Sequence, residues 1–158
     1  MKRSVLFMAA AAALATSGCG LTASPADNIN FVAPKGWNSS PGIAGFMQFW
    51  RSPREGEVLM LFRSPKPIKT EDVLQSANLR DAQIESRKVI TLCDGQQQAQ
   101  EFQSRGKIEN GNESHDVGAN IVMSTSNGAT YFAVYVHRIE MPADAEAVAA
   151  THELCQKK

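Results

Sequence analysis

Three Asx-Gly dipeptides, Asp94-Gly95, Asn110-Gly111 and Asn127-Gly128, punctuate the second half of this 158-residue chain. They separate four strand-like runs, 84–93, 97–108, 115–125 and 129–140. A two-residue hairpin of type I′ needs positive φ at both central residues, and Asn or Asp followed by Gly meets that need at the least steric cost. Three such turns in succession predict a four-stranded antiparallel meander, and no other feature restricts the fold as tightly. Within it, Gln97 to Gln103 is polar at both parities apart from Phe102, as suits an exposed or edge strand. Tyr131 to Val136 is apolar at both parities and is expected to be central.

The first half reads less sharply. Ile29-Asn30-Phe31-Val32 is expected to be a short strand, halted by Pro34 and Gly36, with Trp37 packing where the chain turns. Residues 46–50 and 58–62 are apolar at both parities, so both faces of their strands should be covered. Arg51 to Glu57, with Pro53 and Gly56, makes the turn between them. Thr70 is a suitable N-cap; Glu71 and Asp72 suit the positive end of a helix dipole, and Val73, Leu74 and Ala77 form an apolar stripe. These predict a helix over about 71–80. Pro142 is expected to open a second helix over about 142–155, placing Ala147, Val148, Thr151, Leu154 and Cys155 on one face. The predicted architecture is therefore a single α+β domain over 29–158. It has a mostly antiparallel sheet of about seven strands, a C-terminal four-strand meander, and helices packed on its faces.

Residues 1–18 have the three parts of a secretory signal peptide: basic Lys2 and Arg3, apolar Val5 to Ala15, and a small-residue exit, Ala15-Thr16-Ser17-Gly18. Two endings fit. One is ordinary cleavage after an A-x-A-like site; the other is lipidation of Cys19. Thr16-Ser17-Gly18-Cys19 resembles the lipobox of bacterial lipoproteins, which implies an acylated Cys19, a membrane anchor and a tether over 19–28. Thr16 departs from the aliphatic residue usual there, while Gly20 in place of Asp accords with an outer-membrane destination. A soluble periplasmic or secreted protein follows from the other ending.

Signal removal takes two of 16 basic residues and none of 16 acidic ones, leaving a formal charge of −2. That balance argues against a nucleic-acid partner. With Cys19 acylated, Cys93 and Cys155 most simply form a disulfide in an oxidising compartment; two separate buried thiols are the alternative. No C-x-x-C pair, G-x-S-x-G elbow or metal-ligand spacing is present. His115, near Glu113 and Asp116, His137, and His152, beside Glu153, are the conventional site residues. A metal site from His137, His152 and a carboxylate is weighed against solvated or end-of-strand histidines. Phe46, Phe49, Trp50, Tyr131 and Tyr135 either line an apolar pocket or pack the core. No catalytic, cofactor-binding or metal residue is assigned.

Phe31-Val32-Ala33-Pro34-Lys35-Gly36-Trp37 is similar to the opening strand of the PsbP-like superfamily, which ends in Pro-x-Gly-Trp. The two strands after it, the Asn127-Gly128-Ala129-Thr130-Tyr131 hairpin and the C-terminal helix are also similar. The resemblance spans nearly the whole mature chain, and the Cys93–Cys155 pair is not general in that family. It implies an interaction module more than an enzyme, with no functional residue carried over. The leading expectation is thus an exported, lipid-anchored, non-enzymatic protein-interaction module of the cell envelope. A small-ligand carrier or sensor is the alternative, and an unrecognised hydrolase a weaker one. Replacing Cys19 by Ala is expected to move the protein from membranes to the soluble fraction; unchanged fractionation counts against the anchor.

Overall fold

A computed structural model describes residues 23–126 and 128–157. The signal segment 1–18 and Cys19 lie outside the described residues, as does Asn127. Seven strands follow: β1 (Asn38–Ser39), β2 (Met47–Arg51), β3 (Glu57–Ser64), β4 (Arg80–Leu92), β5 (Gln97–Asn110), β6 (Glu113–Ser126) and β7 (Ala129–Arg138). They pair antiparallel in one sheet of order β1-β2-β3-β7-β6-β5-β4. Among the described residues the two α-helices are α1 (Thr70–Ser76) and α2 (Ala145–Ala150).

The turns set the register. Between β4 and β5, Asp94 and Gly95 have φ of 55° and 82°, and the Gln96 N–H donates to the Cys93 carbonyl at 3.1 Å. Pairing resumes only at Leu92–Gln97, so the loop has four residues. Between β5 and β6 the centre moves one residue from the expected place. Asn110 pairs with Glu113, leaving Gly111-Asn112 in the loop, and of these two only Gly111, at φ 63°, is left-handed. Gly first and a normal residue second is the pattern of a type II′ turn, which twists with its strands as type I′ does. The β6–β7 turn closes at Ser126–Ala129, with Gly128 at φ 73°.

Strand β7 lies between β3 and β6, and residues 129–136 are all buried. Strand β5 is not the edge. It lies between β4 and β6, and its polar side chains find partners: Gln97 bonds Ser124, and buried Glu101 meets Lys88 and His152. The edge is β4, whose exposed Arg80, Asp81, Glu85, Arg87 and Lys88 discourage further strand pairing.

The expected strand at Ile29–Val32 does not form. Only Ile29 pairs, in a single bridge to Gln156, because this segment meets the chain's other end. The Asn30 N–H donates to the Cys155 carbonyl at 2.7 Å, and the Lys157 N–H to that of Asn28 at 3.3 Å. The two-residue β1 borders β2 instead.

The α+β expectation also fails. The described residues are nearly all sheet, and their two α-helices have only seven and six residues. Helix α1 stops early because Asn78 turns left-handed at φ 58°. Its N–H reaches the Gln75 carbonyl and that of Leu79 reaches Leu74, both at 3.0 Å, a Schellman ending. Lys69, not Thr70, is the N-cap residue, and it gives no side-chain bond. Helix α2 starts late, at the Asp144 cap. It ends where the Thr151 hydroxyl donates back to the Val148 carbonyl at 2.6 Å and the chain extends to meet Ile29.

Two apolar clusters form, one on each face of the sheet. On one, Trp50, Leu59, Leu61, Val122 and Tyr131 pack with Ile29, Ala147, Ala150 and Leu154. On the other, Phe62, Phe102, Ile121, Phe132 and Val134 pack with Val73, Leu74 and Ala77 of α1. A disulfide joins Cys93 of the β4–β5 loop to Cys155 beyond α2, with Cα atoms 5.7 Å apart and a sequence separation of 62. On the chain-entropy model, replacing both by Ser should lower unfolding free energy by about 4 kcal/mol. Urea denaturation measures this; an unchanged midpoint contradicts it.

Candidate functional site

The β2–β3 connection and the first residue of β3 place Arg54 and Glu57 against the end of β7. The side chain of Glu57 is fully buried and accepts three hydrogen bonds from two residues. Tyr135 Oη–H donates to Glu57 Oε1 at 2.9 Å, Arg54 Nη2 donates to the same oxygen at 2.8 Å, and Arg54 Nε donates to Oε2 at 3.1 Å. Tyr135 Oη in turn accepts from the Asp144 N–H at 2.8 Å, and Arg54 Nη2 donates to Asp144 Oδ2 at 2.9 Å. Asp144 Oδ1 caps α2 through the N–H groups of Glu146 and Ala147, at 2.9 and 3.1 Å. One connected network therefore holds the β2–β3 turn, β3, β7 and α2. Burial, the largest cause, pushes the Tyr135 phenol up from its ordinary 10.0, and the nearby Glu57 carboxylate adds to the rise.

Beside this network, on the sheet face that carries α1, lies a cleft of about 590 Å³ to which α1 contributes no residue. Cross-strand register builds it. Arg51 pairs with Val58, Val58 with Val136, and Arg138 with Val117, so those side chains share one face. Val58, Val117, Val136 and Ile108 supply apolar lining, and Arg51, Arg138 and His115 the polar groups around it. Arg54 and Glu57 satisfy each other, and Glu109 pairs with Arg80 at 3.1 Å. Arg138 Nη2 has only Glu55 Oε1, 3.6 Å away on a side chain that is 91% exposed. Arg51 lies 5.3 Å over the Phe49 ring and has no carboxylate partner among the described residues. The lining holds three arginines and three glutamates, and of the arginines Arg51 alone has no carboxylate partner among the described residues, beside an apolar surface.

The histidines are dispersed. His115 lines the cleft, with Nε2 at 3.3 Å from Glu113 Oε2. His137 stacks on Tyr135 at a ring separation of 5.4 Å, and its Nδ1 lies 2.9 Å from the Arg138 carbonyl. His152 lies with Nε2 at 3.2 Å from Glu101 and Nδ1 at 3.0 Å from the Val148 carbonyl. His137 and His152 therefore have separate partners. Among the described residues, no three His, Cys, Asp or Glu side chains come together in a way that could hold a metal. The aromatic set also divides: Trp50, Tyr131 and Tyr135 are core, Phe49 lies under Arg51, and Phe46 is exposed.

Arg51, Arg138 and the Glu57–Tyr135 pair do not stand out in the sequence. Their only trace is that an arginine follows each of two apolar runs, Arg51 after Trp50 and Arg138 after His137.

No family model matches the chain, and no curated protein matches it. Among solved structures it is similar to a Pseudomonas aeruginosa protein of unknown function, PA94. The identity is 14%, over 68% of this chain and 76% of that one, with a TM-score of 0.43. A likeness so slight carries nothing about fold or role.

Replacing Tyr135 by Phe removes a buried hydroxyl that both donates and accepts, and should cost about 1–3 kcal/mol of stability. Because the phenol's pKa is raised by folding, its contribution is complete below pH 10.0 and is lost as pH rises above that value. Denaturation curves across pH 8–11 should show an alkaline decline in the parent that is smaller in Tyr135→Phe; identical declines would rule out this origin.

Proposed function

We propose that the chain is an exported, membrane-tethered, non-enzymatic binding domain of the cell envelope, and that its cleft takes a small anionic ligand. The signal-like segment 1–18 and Cys19 support the address. The PsbP-like resemblance, which is one of sequence alone, supports binding over catalysis by analogy.

One observation carries the choice of ligand: Arg51, without a carboxylate partner among the described residues, beside an apolar-lined cleft of about 590 Å³. Small-molecule sites are typically concave and apolar, with a few polar groups that fix orientation. Guanidinium groups select carboxylate or phosphate, which accept two parallel hydrogen bonds from one arginine. The ligand class is therefore a carboxylate or phosphate on an apolar body. This favours the small-ligand alternative over the protein-interaction reading. Among the described residues the exposed large apolar side chains, Val32, Ile43, Phe46, Val89 and Ile139, come from separate segments apart from the neighbours Ile43 and Phe46.

Calorimetric or thermal-shift titration with alkyl carboxylates and alkyl phosphates tests the reading. Arg51→Ala and Arg138→Ala should each weaken binding by about tenfold or more, the value of one charge-assisted hydrogen bond. Saturable binding that both variants leave unchanged would place the ligand elsewhere. No binding of either class by the parent would overturn the proposal.

A further inference from the structure

The tether enters the fold at a closely packed seat. The Ala23 carbonyl accepts from the Gly45 N–H at 2.8 Å. Ser24 caps the short 3-10 helix Pro25–Asn28, and its hydroxyl bonds the Gln48 side chain. Gly42 lies so close that a Cβ there would be 2.4 Å from the Ala23 oxygen. The loop 41–46 is thus packed directly against the point where the described chain begins.

Only four residue steps separate Ala23 from Cys19, a reach of about 14 Å even when fully extended. An acylated Cys19 lies at the lipid headgroups, so the surface around Ala23 must lie within that reach of the bilayer. That surface carries Ile43 and Phe46, 41% and 47% exposed. Phe46 is joined to β3 by the Arg63 N–H, which donates to its carbonyl at 2.7 Å. Arg63 and Lys157 line a hollow of about 280 Å³ next to the 3-10 helix, and Arg63 Nε is buried without a hydrogen-bond partner among the described residues. The nearby Asp27 carboxylate is already engaged by the Ser24 N–H at 3.0 Å. Apolar side chains flanked by cations match the boundary between acyl chains and anionic headgroups.

We infer that the loop carrying Ile43 and Phe46 is a membrane-docking face. The two side chains enter the headgroup boundary, and Arg63 and Lys157 meet lipid phosphate. The inference rests on acylation of Cys19, as proposed above. It also orients the molecule. Phe46 and Ser64 lie at one end of β2 and β3, and Arg51 and Glu57 at the other. An eight-residue strand of about 3.4 Å per residue puts roughly 24 Å between those ends, so the cleft lies at the end away from the bilayer.

The test uses the acylated chain, purified from membranes and bound to vesicles of phosphatidylethanolamine and phosphatidylglycerol with nitroxide-labelled acyl chains. A fluorophore is attached in one sample at Ala44→Cys and in another at Asn112→Cys, on the far β5–β6 turn. Quenching at position 44 should exceed that at 112 by about threefold, as expected for side chains buried 5–10 Å into the boundary. Adding Phe46→Asp should abolish most of the difference without releasing the protein. Equal quenching at both positions on retained protein overturns the docking face alone, and a spectral shift of the position-44 label without vesicles assigns the face to a protein contact instead. Protein that washes off the vesicles overturns the anchor and the inference together.

Discussion

The hydroxyl of Tyr135 is the contact on which the arrangement of the remaining parts depends. It sits at the buried centre of the sheet, donates to a fully buried carboxylate and accepts from the first N–H before α2. A buried carboxylate is tolerated only when its charge is opposed and its lone pairs are met, and Arg54 with Tyr135 does both for Glu57. Because Arg54 also bonds Asp144, the α2 cap and the β2–β3 turn are fixed by one guanidinium. The same network engages Arg54 and Glu57 with each other and Arg138 meets the exposed Glu55, so Arg51 is the arginine of the neighbouring cleft left without a carboxylate among the described residues.

How much of this was legible in the sequence varied with the range of the interaction. The Asx-Gly turns act over two to four residues, and the strands they join were readable. Even so, the middle turn is centred on Gly111-Asn112, because cross-strand pairing chose the register and the dipeptide alone could not. The central place of β7 followed from its double apolar character. The edge was misread: Gln97 to Gln103 is polar because its partners are Ser124, Lys88 and His152, which come from other parts of the chain. Helix lengths failed for a related reason. The apolar stripe 147–155 is real, but its last residues are taken by Ile29 and Asn30, more than a hundred positions earlier. The cleft was invisible, since it consists of residues that meet only across strands.

The proposed site and the proposed anchor sit at opposite ends of the same two strands. With the proposed anchor in place, such a layout would leave the cleft facing away from the bilayer. The two ends also differ in kind. One presents apolar side chains outward beside the tether, the other draws valines inward and leaves arginines and glutamates around them.

The meeting of the chain's two ends has a mechanical consequence. Asn28 and Asn30 bond to Lys157 and Cys155, and Cys155 is fastened covalently to the β4–β5 loop. A pull on the proposed lipid anchor would therefore not peel a free edge strand. Beyond the Ala23 seat, the load would pass into a segment hydrogen-bonded to a cross-linked one and be shared in shear with the far side of the sheet. A domain held to a moving membrane by a single short leash would resist extraction through its termini, the points at which most folds are weakest.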